Sequence, residues 1–385
     1  NGRYFINPIK PDFDNPLATL SGTDTRSRQN NLQAKVSANW EIFKKFRYTV
    51  NLIGKLGTGR NDSYTNRWDT YQGRGASGQA SSGMSESLNW QIENLLQYNF
   101  MLQNHNFDLM TGHIISRSEG RSTSVTGIGF DSDNLPFVSF ANDLRDGNSG
   151  YGFSKFASYI NRVNYSFKDK YLVQLNLRID GNPQKFSEKN RWGAFPSLSA
   201  AWKINEEDFM KSFETISFLK LRGSFGISGN SQIPSFSYLP TYAPKQRAPS
   251  GAVHPNDSFY PIALDNNWLA TGLVPVRKEN INAKWEEVAE FNFGADLGLW
   301  RNKINVTAEV YNRNGYDLLW TQNIPTTSGF STTIVNIGKV RNRGIELYFK
   351  SFNISNPEFT WVSELNFAYN ENDVIDLGEI PPDKS

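Results

Sequence analysis

From Tyr171 to Asp180 the chain alternates without a break: Tyr171, Val173, Leu175, Leu177 and Ile179 fall on one side of an extended strand. Gln174, Asn176, Arg178 and Asp180 fall on the other, with Leu172 the single apolar exception. Side chains alternate with period 2 only in a strand, so each such segment has one apolar and one polar face. The pattern recurs at 31–40, 46–55, 87–100, 106–116, 153–167, 190–203, 217–228, 285–299, 303–320, 343–351 and 359–370. Together these make about twelve segments, most as long as the roughly 9 to 11 residues a tilted strand needs to cross a bilayer. In a soluble sandwich the apolar face meets a second sheet. In a membrane barrel it meets lipid, and the polar face lines a wet interior.

The connections alternate in length as well. Short turns fall at 41–45, 102–106, 168–169, 301–302 and 353–358, with a somewhat longer one at 205–217, where Asn205 is expected to cap a short helical turn. Long loops lie between them at 56–86, 117–152, 181–189, 229–284 and 321–342. Outer-membrane barrels have this asymmetry, with short periplasmic turns and long extracellular loops, and nothing in a sandwich demands it. Aromatic residues, 14% of the chain, gather at the short-turn ends: Trp40, Phe43, Phe46, Tyr48, Phe100, Phe107, Tyr165, Phe167, Tyr171, Trp300 and Trp361 are examples. Rings with a polar edge favour a membrane interface, so they read as a girdle. Mean hydropathy is −0.54 despite this aromatic content, as expected where each lipid-facing residue is matched by a lumenal polar one.

The expected fold is therefore all-β: a transmembrane, antiparallel, up-and-down β-barrel. Residues 1–385 read as part of one such domain. No apolar run suits a transmembrane helix, which says nothing against a barrel. The opening residues show no signal peptide and read as an internal or mature segment. A net charge of +2 gives no electrostatic pull toward nucleic acid, and the chain has no cysteine for disulfides or thiolate metal sites.

Nothing points to catalysis. His105, His113 and His254 are scattered without metal-ligand spacing and read as satisfied or solvated. Glu206-Glu207 and Glu286-Glu287 are adjacent pairs that point to opposite faces of a strand. No enzymatic activity, cofactor or metal is expected. Recognition belongs to the long loops, where Trp68 and Tyr71, and Tyr260 and Trp268, offer aromatic faces beside arginine, asparagine and proline. Such surfaces suit a glycan or peptide, and the same rings also suit packing of loop on loop.

At RVNYSFKDKYLVQLNLRIDG (162–181), NRWGAFPSLSAAWKINEEDFMK (190–211), LKLRGSFGISGN (219–230) and TTSGFSTTIVNIGKVRNRGIEL (326–347) the chain resembles the SusC/RagA family of TonB-linked outer-membrane transporters of Bacteroidetes. GNPQKF (181–186) departs from the Gly-Ser-Ser-Arg-Phe run common there. The resemblance implies a barrel of about 22 strands in the outer membrane of a Gram-negative bacterium, surrounded by lipid and lipopolysaccharide. It further implies an N-terminal plug, a SusD-like surface lipoprotein as lid, and TonB as the source of energy for importing oligosaccharides or peptides. On this reading the plug and the remaining strands lie outside the present sequence, and pairing of two transporter–lid units is an open alternative. Two other readings stand beside it: a secreted β-sandwich adhesin or carbohydrate-binding protein, and a passive porin. The orientation puts Lys168-Asp169 in the periplasm and Asn182 outside, where a cysteine would be labelled on intact cells.

Overall fold

A computed structural model describes residues 14–244, 262–265, 268–270 and 273–378. Eight strands come first: β1 (Thr23–Phe43), β2 (Phe46–Thr65), β3 (Gln79–Leu102), β4 (His105–Ile128), β5 (Asp143–Phe167), β6 (Tyr171–Gly181), β7 (Trp192–Lys203) and β8 (Ile216–Asn230). Four short strands follow, β9 (Thr241–Pro244), β10 (Ile262–Asp265), β11 (Trp268–Ala270) and β12 (Leu273–Lys278). The chain continues through β13 (Glu286–Leu299), β14 (Ile304–Tyr316), β15 (Leu319–Asn323), β16 (Thr332–Asn336), β17 (Lys339–Ser355) and β18 (Thr360–Asp376).

One antiparallel sheet holds the twelve long strands in the order β1-β2-β3-β4-β5-β6-β7-β8-β13-β14-β17-β18. Every neighbour in this meander is the next long strand of the chain, so no crossover interrupts it. Each of the twelve alternating segments of the sequence contributes a strand to this sheet, and several run further than expected. β3 and β4 have 24 residues each and β5 has 25, about twice what one bilayer crossing by a tilted strand takes. Among the described residues no second sheet covers the apolar face: Leu52, Leu175, Leu198, Phe225, Phe293 and Leu347 are each about half exposed. That excludes the β-sandwich.

Register keeps the alternation coherent from strand to strand. Val163 pairs with Leu175, Leu175 with Leu198 and Leu198 with Phe225, while on the other face Asn164 pairs with Gln174, Gln174 with Ser199 and Ser199 with Ser224. A slip of one residue would turn an entire strand inside out. The tight turns set this register. Lys168 and Asp169 both have positive φ (51° and 54°), the backbone hand that matches the right-handed twist of two paired strands.

At the short-turn ends the aromatic side chains form a continuous belt. Phe43 stacks on Phe46 at 4.5 Å, Tyr98 on Phe100 at 5.2 Å, Phe100 on Phe107 at 4.8 Å and Tyr171 on Trp202 at 6.2 Å. His105 joins it: one ring nitrogen lies 2.8 Å from the Tyr165 hydroxyl, as a satisfied histidine should.

The opposite end differs from the expectation of plain loops. β15, β16, β12 and β9 form a second sheet, in which β12 and β16 run parallel. It joins the long loops 229–284 and 321–342, a pairing between distant segments that local pattern cannot reveal. The segment 303–320 is not one strand, because Asp317, at φ 54°, turns the chain out of the wall into this outer sheet. Residues 204–210 form two 3-10 turns, Ile204–Glu206 and Asp208–Met210. Asn205 caps neither; its side-chain oxygen accepts the Leu219 amide instead.

Candidate functional site: the polar concave wall and its outer layer

The concave face of the sheet is built from the polar positions of successive strands. Towards the short turns, Asn106, Asp108, Asn164, Gln174, Lys220 and Asn292 line a hollow of about 580 Å³. A second hollow of about 460 Å³, further along the wall, holds Glu290, Glu309, Arg313, Glu346 and Asn370. Along this face side chains are tied across strands. Ser37 donates to Asn51 at 2.8 Å, and Asn51 donates to Glu93 at 2.8 Å. Arg222 reaches from β8 to Asp296 on β13 at 3.3 Å and to Glu309 on β14, while Thr307 donates to Asp296 at 3.1 Å. Ser158 and Arg178 both donate to Asp180, at 2.5 Å and 2.7 Å, so this carboxylate is buried on the wet side of the wall. A wall of this kind offers many hydrogen bonds to a polar solute.

Above the wall the loops form two small cores. Phe186, Phe195, Ile233, Ala283, Trp285 and Ile334 make the larger, gathering the β6–β7 loop, the segment before β13 and the outer sheet. Asn182 belongs to this layer and is only 8% exposed. A cysteine at Asn182 would thus be shielded from label, whereas Glu188 on the same loop is exposed. The second core packs Tyr64 against Phe130 at 5.2 Å, with Ala80. Here Asp133 accepts from the Tyr64 hydroxyl at 2.8 Å and from the Arg67 backbone and guanidinium at 3.1 and 3.3 Å. Burial, with the Asp133 carboxylate beside it, pushes the Tyr64 phenol up. Burial also works to raise Asp133, but the Tyr64 hydroxyl and Arg67 outweigh it and hold the carboxyl below its ordinary range.

Of the aromatic residues expected to contact a ligand, Trp68 and Tyr71 share the β2–β3 loop and are exposed at 44% and 51%. The Arg67 guanidinium sits 5.0 Å from the Trp68 ring. Tyr71 opens the short helix Tyr71–Ala76, and its backbone amide donates to Asp14 at 2.7 Å. Tyr260 lies outside the described residues. Trp268 begins β11, paired with β10, and its side chain lies outside the described residues as well. The Arg222–Asp296–Glu309 cluster was missed from sequence. Alternation puts each of these residues on the inner face, but only the register across three strands brings them together.

Residues 1–384 match the family model described as TonB dependent receptor-like, beta-barrel. The chain is 33% identical over 293 residues to the TonB-dependent receptor P39 of Formosa agariphila, covering 75% of this chain and 26% of that protein. It is 28% identical over 381 residues to the TonB-dependent receptor SusC of Bacteroides thetaiotaomicron, covering 97% of this chain and 36% of SusC. Among solved structures, the RagAB peptide transporter superposes with a TM-score of 0.79 at 22% identity, over 93% of this chain and 38% of that one. The chain thus spans between a quarter and somewhat over a third of the proteins it matches.

Proposed function

Because this chain belongs to the TonB-dependent receptor-like β-barrel family, and so forms part of a barrel wall in the outer membrane of a Gram-negative bacterium, we propose that the whole protein is an energised importer of oligosaccharides or peptides. The observation that carries this reading is the wall itself: one meander with an exposed apolar outer face and a hydrogen-bonding inner face. The similarity to SusC and to the RagAB peptide transporter supports it. In this reading a plug domain and further strands, supplied by parts of the protein beyond this chain, complete and close the lumen. TonB draws on the plug, and a SusD-like lipoprotein covers the outer layer. Trp68, Tyr71, Tyr260 and Trp268 contact substrate from the loops.

The test is uptake of fluorescently labelled maltooligosaccharides and mixed oligopeptides by cells with and without the full-length protein. Uptake should depend on the protein and stop when TonB is removed or the proton gradient is discharged. Uptake that continues without TonB identifies a passive porin and overturns the proposal.

A further inference from the structure

On the outward side of the wall, β4 and β5 set two cations directly against each other: Arg117 pairs with Lys155. On the next outward rung toward the short turns Ile115 pairs with Ala157, and further down Leu109 pairs with Val163, which register carries on to Leu175. The two cations therefore cap the apolar face. Their height follows from strand geometry. A strand rises about 3.4 Å per residue and tilts about 40° in a barrel, so it climbs roughly 2.5 Å per residue along the membrane normal. Arg117 stands ten residues beyond Phe107, and Lys155 ten beyond Tyr165. Phe107 and Tyr165 belong to the aromatic belt, with rings 5.0 Å apart. Both cations thus stand about 25 Å above that belt, the full height of an apolar barrel band. Trp90 faces Arg117 from β3, where a ring at the second interface belongs.

Like charges directly opposite on paired strands repel, and the protein answers only part of this. Glu119 pairs with Arg117 at 2.9 Å and also accepts from the Tyr151 hydroxyl at 3.4 Å. The Arg117 Nε, shut off from solvent, has no partner. Lys155 is exposed, and among the described residues its ammonium has no hydrogen-bond or ion-pair partner. Arg121, four residues above Arg117, lies over the Tyr151 ring at 5.3 Å. Glu86 faces Arg121 in register, yet among the described residues the two form no ion pair. Six residues below Lys155, Asn161 borders an almost wholly apolar hollow of about 390 Å³ lined by Leu175, Leu177, Pro196, Leu198 and Phe225. That hollow lies roughly 15 Å deeper in the band, at the depth of an acyl chain whose headgroup sits at Lys155. Arginine and lysine hold phosphate by charge-assisted hydrogen bonds, and a phosphate monoester, with nearly two charges, suits the site better than a zwitterionic headgroup. We infer that Arg117, Arg121 and Lys155 bind the phosphate of the lipid anchor of lipopolysaccharide, with an acyl chain in the hollow below. The inference rests on the short turns being periplasmic and is independent of what the protein transports.

Binding of fluorescent lipopolysaccharide from the host's own outer membrane to the full-length protein, held in phosphatidylcholine nanodiscs, tests this. R117Q combined with K155Q should weaken binding at least about tenfold. R343Q removes an outward-facing cation on β17 that already pairs with Glu371 at 2.8 Å, and should leave binding unchanged. Phosphatase-treated lipopolysaccharide, deacylated lipopolysaccharide and inorganic phosphate should each compete at least about tenfold more weakly than the intact lipid. If the double variant gives no heat-modifiable barrel, K155Q alone, at an exposed side chain, should still weaken binding about threefold. Unchanged affinity in an assembled R117Q/K155Q or K155Q barrel, inorganic phosphate competing as well as intact lipopolysaccharide, or phosphatidylglycerol bound as tightly would each overturn the inference.

Discussion

Arg222 shows how much of the inner wall rests on single cross-strand contacts. It holds Asp296 and Glu309, two carboxylates on neighbouring strands, and Glu346 stands directly opposite Glu309 in register. Like charges on paired positions repel, so Arg222→Met should cost about 1–3 kcal/mol, below the range for a fully buried pair because the lumen is wet. The midpoint of heat-modifiability of the full-length barrel on gels measures it, and adding Asp296→Asn and Glu309→Gln should restore most of the loss. Gly344 is a second sensitive point. Tyr311 lies across it, and a β-carbon there would meet the Tyr369 carbonyl oxygen at 2.5 Å and the Tyr311 hydroxyl at 2.6 Å. Gly344→Val should therefore destabilise by about 1–3 kcal/mol through overpacking, where valine on a solvated strand face would ordinarily be favoured.

At the scale of elements, the Tyr64–Asp133–Arg67 clasp ties the β2–β3 loop to the β4–β5 loop, and its strength depends on pH in both directions. Asp133 has its folded pKa depressed, so the stability it contributes is present above the ordinary carboxylate range, near ~4, and is lost as pH falls through the lower folded value. Tyr64 is shifted the other way. Its contribution is present below the ordinary phenol range, near ~10, and fades as pH rises above it, because the unfolded phenol ionises first. Protease nicking of loop 66–78 on outer-membrane vesicles should be slowest near neutrality and rise at both extremes, and Asp133→Asn should flatten the acidic arm. On the periplasmic side Glu207 accepts from Tyr171 at 2.6 Å and Trp202 at 3.1 Å and pairs with Lys170 at 3.2 Å. These contacts, the Tyr171 hydroxyl first, hold its carboxyl below the ordinary range and fasten the 204–215 turn beneath the aromatic belt.

For the whole molecule, orientation is the testable consequence. A cysteine at Glu188 should be labelled by a membrane-impermeant maleimide on intact cells, and one at Asp169 only after the outer membrane is opened; the reverse pattern would invert the barrel. If the loop aromatics contact substrate, Trp68→Ala together with Tyr71→Ala should weaken binding roughly tenfold, at ~1–1.5 kcal/mol for loss of aromatic contact. Direct binding to the purified full-length protein measures this, and barrel stability should not change.

The strand positions, the two faces and the difference between the short-turn end and the long-loop end were legible in the sequence because each is a local property. Period-2 alternation sorts side chains by face, and turn length and aromatic placement mark the two ends. The alternation from Tyr171 to Asp180 separates an apolar face from a polar one, and register with β5 and β7 continues both faces onto the neighbouring strands. What only the tertiary structure decided is whatever depends on register between strands or on contact between distant loops. The outer sheet, the burial of Asn182 and the Arg222 cluster are of this kind. Alternation states which face a residue occupies, and only the pairing of strands states which residues share it as neighbours.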